Sequence, residues 1–265
     1  MLESRYACGM LSSLLLVAVL AQGEPPPGTE QKPATPAKEA PAVEAKVFTD
    51  LEAAQAIAAW KRVPAKASLA DRVAALDGLV CGKHASLVPV LDKIVRSQDP
   101  IVVRKKAAQA LAWQPDKKTY ETVTDLLNDA NIGRMPELLE PLIKALARVG
   151  YQSKNWARLD AIFRAGFAAN RISLQRAIIQ LAGEHKEKQA LAVLLDNFDE
   201  PTPKDPTGAS NPPVEYWEAR WKAWKTWRED VKAAVQRITG QKFASSEEAR
   251  AWLRANGAKL GVKGF

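Results

Sequence analysis

The sequence predicts an all-α chain in which about five antiparallel helix pairs stack as an α-solenoid, closed by a Trp-rich C-terminal helix. Three observations carry that expectation. Leu79, Leu111, Leu146 and Leu181 recur at separations of 32, 35 and 35 residues, and four positions before each stands Ala75, Ala107, Leu142 or Ala177. Such i, i+4 pairs mark one helix face. A second series, Leu91, Leu126, Ile162 and Leu194, keeps step at 35, 36 and 32 residues. Two helices per period, each with an apolar stripe it cannot bury alone, form the pattern of stacked helical repeats. No β-rich run competes. Near the end, Trp217, Trp221, Trp224 and Trp227 are spaced by four, three and three residues, and with Val231, Val235 and Ile238 they cover one broad side of a long helix.

Taken in order, the chain opens on Leu11 to Ala21, an apolar run of about eleven residues, well short of the ~20 a membrane-spanning helix needs. It has the form of a signal-peptide core, with Val19 and Ala21 at −3 and −1 of a cleavage site before Gln22 and Gly23 as the next candidate. A short buried helix is the alternative, because Glu3 offsets Arg5 ahead of the run. The expectation is export of residues 22–265 to the periplasm or cell envelope, with no stable transmembrane span. Cys8 precedes the apolar run and would leave with residues 1–21. Residues 22–46 carry prolines, alanines and charges with almost nothing to bury, which predicts a disordered linker.

Five helix pairs follow. They are expected at about 50–61 with 68–81, 85–96 with 100–113, 117–128 with 135–149, 154–165 with 170–183, and 187–198 with 214–238. Residues 47–198 therefore make the repeat body. Gly82, Gly150 and Gly183 are read as left-handed caps closing second helices. Residues 199–213 form a Pro-rich connection longer than repeat turns need. Residues 214–265 make the helical cap, whose last helix starts at Ser245 or Ser246, carries Glu247 and Glu248 in its first turn, and closes at Gly257.

The stretch VRKKAAQAL from Val103 to Leu111, preceded by Asp99-Pro100, resembles the second-helix motif of short bacterial HEAT-like repeats of the armadillo-type superfold. One extra residue separates Pro100 from Val103-Arg104 relative to the usual spacing. The first pair keeps part of the motif in Arg72, Ala75 and Leu79, and the third and fourth pairs match by period. Thr239-Gly240-Gln241, Glu247-Glu248-Ala249 and Trp252-Leu253 resemble the closing segment of exported bacterial proteins of this kind. The resemblance implies a right-handed solenoid whose second helices line a concave face. It also implies that Arg104 pairs with an aspartate of a neighbouring turn, Asp99 or Asp129. The Trp/Leu-Gly/Tyr pattern of tetratricopeptide repeats, which have a similar period, is not visible.

Catalytic signals are sparse. His84 and His185 each sit beside a glycine without a second ligand at metal spacing, and neither HExxH nor CxxC occurs. Serine-hydrolase, P-loop and dinucleotide glycine motifs are missing too. Cys81 reads as a small core residue. Some HEAT-like proteins are DNA glycosylases, but export and the lack of an identifiable catalytic carboxylate count against that reading. The expectation is a non-enzymatic scaffold with no cofactor, metal or small-molecule substrate.

Binding is expected in one of two places. The net charge of +8 and pI of 9.4 favour acidic partners without identifying one. The second helices concentrate that charge in Arg104, Lys105, Lys106, Lys144, Arg148 and Arg176, with Arg72 and Arg171 beside them and Glu137, Glu140 and Glu184 partly offsetting them. The C-terminal helix offers Trp217, Trp221 and Trp224 with Arg220 and Arg228 in the same arc. There Arg220 can stack on Trp217 and Trp224, and Arg228 on Trp224. The leading expectation is a protein partner held on the concave face or this Trp/Arg helix. The alternative is a polyanion-binding module for an acidic polysaccharide, anionic lipid surface or nucleic acid.

Overall fold

The computed structural model describes residues 45–203 and 211–262. The expected signal peptide, nearly all of the expected linker and residues 204–210 of the Pro-rich connection lie outside them. The described chain is all-α. Eleven helices carry it: α1 (Asp50–Arg62), α2 (Leu69–Val80), α3 (Val88–Arg96), α4 (Ile101–Leu111), α5 (Asp116–Asn128), α6 (Pro136–Val149), α7 (Trp156–Arg164), α8 (Ile172–Glu184), α9 (Leu191–Leu195), α10 (Val214–Thr239) and α11 (Ser246–Leu260). Short 3-10 turns join several of them. One two-residue parallel bridge sets β1 (Lys46–Val47) beside β2 (Gly82–Lys83).

The even-numbered helices make a continuous row. α4 packs on α2 and α6, α6 on α8, and α8 on α10, while α1, α3, α5, α7 and α9 each pack on the even helix that follows. The periodic leucines explain why. Leu79, Leu111, Leu146 and Leu181 are buried, and so are Leu91, Leu126, Ile162 and Leu194 of the alternate helices. Small residues at Ala107 and Ala177 are buried beside them, which lets neighbouring backbones approach closely and raises packing density.

Local signals set the ends. Thr49 caps α1 by accepting from Glu52 N while the Glu52 carboxylate accepts from Thr49 N, a reciprocal capping box. Ser68 caps α2, and Ser245 rather than Ser246 caps α11. Gly150 ends α6 with φ of 116°, as its expected role requires.

The other expected glycine caps are corrected. Gly82 lies in β2, where an added Cβ would sit 2.1 Å from the Phe48 ring, so it makes room for the incoming N-terminal segment. Gly183 lies inside α8, where a Cβ would come within 3.0 Å of Ala234 on α10. Its task is close helix approach. Gly257 is also interior, and α11 closes at Gly261 with φ of 69°.

The first member of the fifth pair is shorter than expected. A 3-10 turn at Lys188–Ala190 precedes the five residues of α9. Beyond α9 the Asn197 side chain donates to the Val193 carbonyl at 2.7 Å, and buried Phe198 turns the chain into the cap.

Candidate functional site

The basic residues of the even-helix row are largely held by neighbours. Lys106 on α4 pairs with Asp77 on α2. Lys144 Nζ lies 3.0 Å from Glu140 Oε1, one turn away on α6, and Ser173 on α8 donates to Glu140 Oε2 at 3.0 Å. Burial pushes the Glu140 carboxyl up, but Lys144, Ser173 and Lys105 together hold it below its usual value. Arg176 on α8 donates to Asp230 Oδ2 on α10 at 2.8 Å, and Gln180 donates to Oδ1 at 3.0 Å. A ladder of charge and hydrogen-bond contacts thus runs from α2 to α10. Arg148 is exposed, with its guanidinium 4.0 Å from the centre of the Trp113 ring.

Four arginines, Arg72, Arg96, Arg104 and Arg171, are committed to contacts within the helical framework. Arg104 is buried, and its Nε donates to the Val95 carbonyl at 2.8 Å, tying α4 to the end of α3. It does not face a groove. The aspartates expected to neutralise it are taken elsewhere. Asp99 binds Arg72, whose guanidinium stacks 4.2 Å over Trp60. Asp129 binds Arg96 at 2.7 Å, in a cluster that also includes Asp92 and Asp125. Burial alone would lower the pKa of Arg96, but these three carboxylates raise it. Arg171 donates to the carbonyls of Gly166 and Ile162, and burial lowers its pKa.

The Trp-rich helix divides along its length. Trp227 is 0% exposed and lies 6.0 Å from the Phe163 ring, and Trp224 is buried with its indole N–H 3.5 Å from the Phe198 carbonyl. Those two are core. Trp221 is 42% exposed, and its Nε1 donates to Glu200 Oε1 at 2.5 Å. Arg228 stacks on Trp224 at 5.2 Å. Arg220 meets Trp217 as expected but takes Phe167 as its second ring. It lies 5.7 Å from Trp217 and 5.5 Å from Phe167 of the loop after α7, instead of on Trp224.

Phe167, Trp217 and Arg220 share a cleft of about 890 Å³ with the residues after α9, the start of α10 and the first turn of α11. Tyr216 meets Phe167 at 5.8 Å and Trp217 at 5.4 Å, both edge to face, which fixes the aromatic wall. Asp196 accepts from Arg250 at 2.7 Å and lies 3.8 Å from Arg164, which also binds Asp160. Asp199 accepts from the backbone N–H of Ser246 at 3.0 Å. Arg220 has no carboxylate partner among the described residues; its Nη2 reaches only the Asp196 carbonyl, at 3.4 Å. Sequence reasoning found Trp217, Trp221 and Arg220 by their spacing. It missed Phe167, Tyr216 and Asp196, whose approach to them depends on contacts between distant segments.

Other polar clusters are structural. Tyr151 donates to Glu187 Oε2 at 2.8 Å, while Glu187 Oε1 accepts from Gln189 N at 2.9 Å. Burial, then the Glu187 carboxylate, pushes the Tyr151 hydroxyl well above its usual pKa. His185 approaches the Ala147 carbonyl at 3.1 Å, and the His84 Nδ1 caps a 3-10 turn through Ser86 N. Among the described residues no His, Cys, Asp or Glu group is arranged to hold a metal ion, and no helix is long and apolar enough to cross a membrane. Comparison with known proteins returns no matching family model, no matching curated protein and no matching solved structure.

Proposed function

We propose that the chain is an exported, non-enzymatic α-solenoid of the HEAT-like kind, built from about five helix pairs, which binds a protein partner at its C-terminal end. The periodic burial of both leucine series and the unbroken row from α2 to α10 support the architecture. The apolar run at residues 11–21 supports export. One observation carries the functional reading. Lys106, Lys144 and Arg176 of the helix row are engaged by Asp77, Glu140 and Asp230, whereas Trp217, Arg220 and Trp221 sit at or beside an open cleft. Trp and Arg are the residues that dominate binding energy at protein interfaces. A ladder already neutralised within the chain weighs against the row acting as a polyanion groove, because an incoming anion would have to displace internal carboxylates.

Site-specific photocrosslinking in envelope extract tests this, with the reactive side chain placed at position 221 or position 144. A discrete protein adduct from position 221 and none from position 144 is the expected result. An adduct from position 144 alone would move the partner to the helix row and overturn the proposal, as would silence from position 221.

A further inference from the structure

Resting on the cleft just proposed as the binding end, we infer that its ligand is an extended peptide segment presenting a carboxylate beside an apolar side chain, with Arg220 as the carboxylate receptor. The argument is one of charge compensation within a single cleft. Its other cations, Arg164 and Arg250, are satisfied by Asp160 and Asp196. Its carboxylates are satisfied as well, Asp199 by the Ser246 backbone and Glu200 by the Trp221 indole. Arg220 alone among the cleft's three arginines has no carboxylate partner among the described residues.

Its orientation is nevertheless fixed. The guanidinium stands 5.5 Å from Phe167 and 5.7 Å from Trp217, two rings that hold it by cation–π attraction. Two donors nearby, Arg220 Nε and Trp217 Nε1, are buried without a hydrogen-bond partner among the described residues. A buried donor left in that condition is costly, so the site gains from any acceptor that reaches it. A planar fork of N–H groups matches a carboxylate in two-point geometry, which an ammonium does not. The aromatic wall of Tyr216 and Trp217 then supplies the apolar subsite next to the charge. The volume, about 890 Å³, falls within the range of sites that enclose several ligand groups.

The experiment is a random dodecapeptide display selection on the full chain. It runs in two formats, one with peptides anchored at both ends and one with a free C-terminus, against wild type, Arg220→Gln and Arg220→Lys. The expected result is enrichment of Asp or Glu beside an aromatic or aliphatic residue on wild type, absent on Arg220→Gln and weakened on Arg220→Lys. Enrichment in the first format identifies a side-chain carboxylate, and enrichment confined to the second identifies a terminal one. The best peptide remade with Asn, Gln or a C-terminal amide should bind at least about tenfold more weakly to wild type. Arg220→Gln should bind both versions alike. Thermal unfolding of each variant checks that the cap remains folded, and Arg220→Lys carries the test if Arg220→Gln does not fold. No acidic preference on wild type, or a preference that survives loss of Arg220, overturns the inference. If that happens while the position 221 adduct persists, the ligand class is wrong and the binding end stands; loss of both removes both readings.

Discussion

The helices from α2 to α8 and the closing cap differ in what holds their least exposed arginines. Arg148, exposed over the Trp113 ring, stands apart in the first group, and Arg250, paired with Asp196, in the second. Arg72 of α2 is buried against Asp99, Arg96 at the end of α3 sits among three carboxylates, and Arg104 of α4 spends its Nε on a backbone carbonyl. In the cap, Arg220 is positioned by two aromatic rings and meets no carboxylate among the described residues. The row therefore holds more basic residues and less available charge. Cation density along a sequence measures neither; what matters is how many internal anions the fold brings within reach. A paired guanidinium welds helices, and one held only by rings keeps its hydrogen-bonding edge for something else.

The sharpest way to break this comparison lies within α10, where the tryptophans divide between core and cleft. Trp227→Ala removes a fully buried indole that packs against Phe163. It should cost about 3–5 kcal/mol through lost burial and the cavity left behind. Trp221→Ala removes a side chain that is 42% exposed, and its cost should stay within about 1 kcal/mol. Urea denaturation followed by far-UV circular dichroism measures both. Similar losses for the two variants would mean that α10 is not split into a buried and an accessible part.

The next test addresses the row. Asp99→Ala strands the Arg72 guanidinium, which is 8% exposed, beside Trp60. Removing one partner of a buried ion pair typically costs about 3 kcal/mol or more, because the remaining charge stays desolvated. The same measurement checks it. A loss below about 1 kcal/mol would place this pair with ordinary surface ion pairs and remove the claim that the row's arginines are structural welds.

How much of this was legible in the sequence depends on distance along the chain. The helices and their buried faces were readable because Leu79, Leu111, Leu146 and Leu181 repeat a local i, i+4 pattern, and Leu91, Leu126, Ile162 and Leu194 repeat in step with them. Gly150 was readable because a left-handed cap is a local device. Gly82 and Gly183 look the same in sequence, yet one admits the Phe48 ring and the other the α10 backbone. Those causes are 34 and 51 residues away. The charge partners fail for the same reason, with 27 residues between Arg72 and Asp99 and 54 between Arg176 and Asp230. In the cleft, the spacing of Trp217, Arg220 and Trp221 announced an aromatic and cationic helix face. Which of those side chains would be core was settled only by where Phe163, Phe167 and Phe198 approach it.

The smallest expected effect concerns acid, and it separates the ionic ties of the row from the aromatic packing of the cap. Three carboxylates of the helical body, Glu52 on α1, Asp129 after α5 and Glu140 on α6, have lowered pKa values. Hydrogen bonds from Lys46 and Thr49 hold Glu52 at about 2. Backbone N–H groups of Ile132 and Asn131, with Arg96, lower Asp129, and Lys144, Ser173 and Lys105 outweigh burial at Glu140. A carboxyl group with a lower pKa folded than unfolded stabilises the fold fully above the unfolded value, about 3.9 for Asp and 4.3 for Glu. That contribution disappears as pH falls through the folded value. Stability should therefore decline from just above pH 4 downward. Glu140→Gln should shrink the difference between urea midpoints at pH 6 and pH 3, because it removes one of the titrating ties. The Trp227–Phe163 contact carries no titratable group, so Trp227→Ala should lower the midpoint at both pH values and leave their difference nearly unchanged. If Glu140→Gln kept the full wild-type difference between pH 6 and pH 3, the Glu140 rung would contribute nothing to stability, and the ladder would be a surface pattern and not a connection between helices.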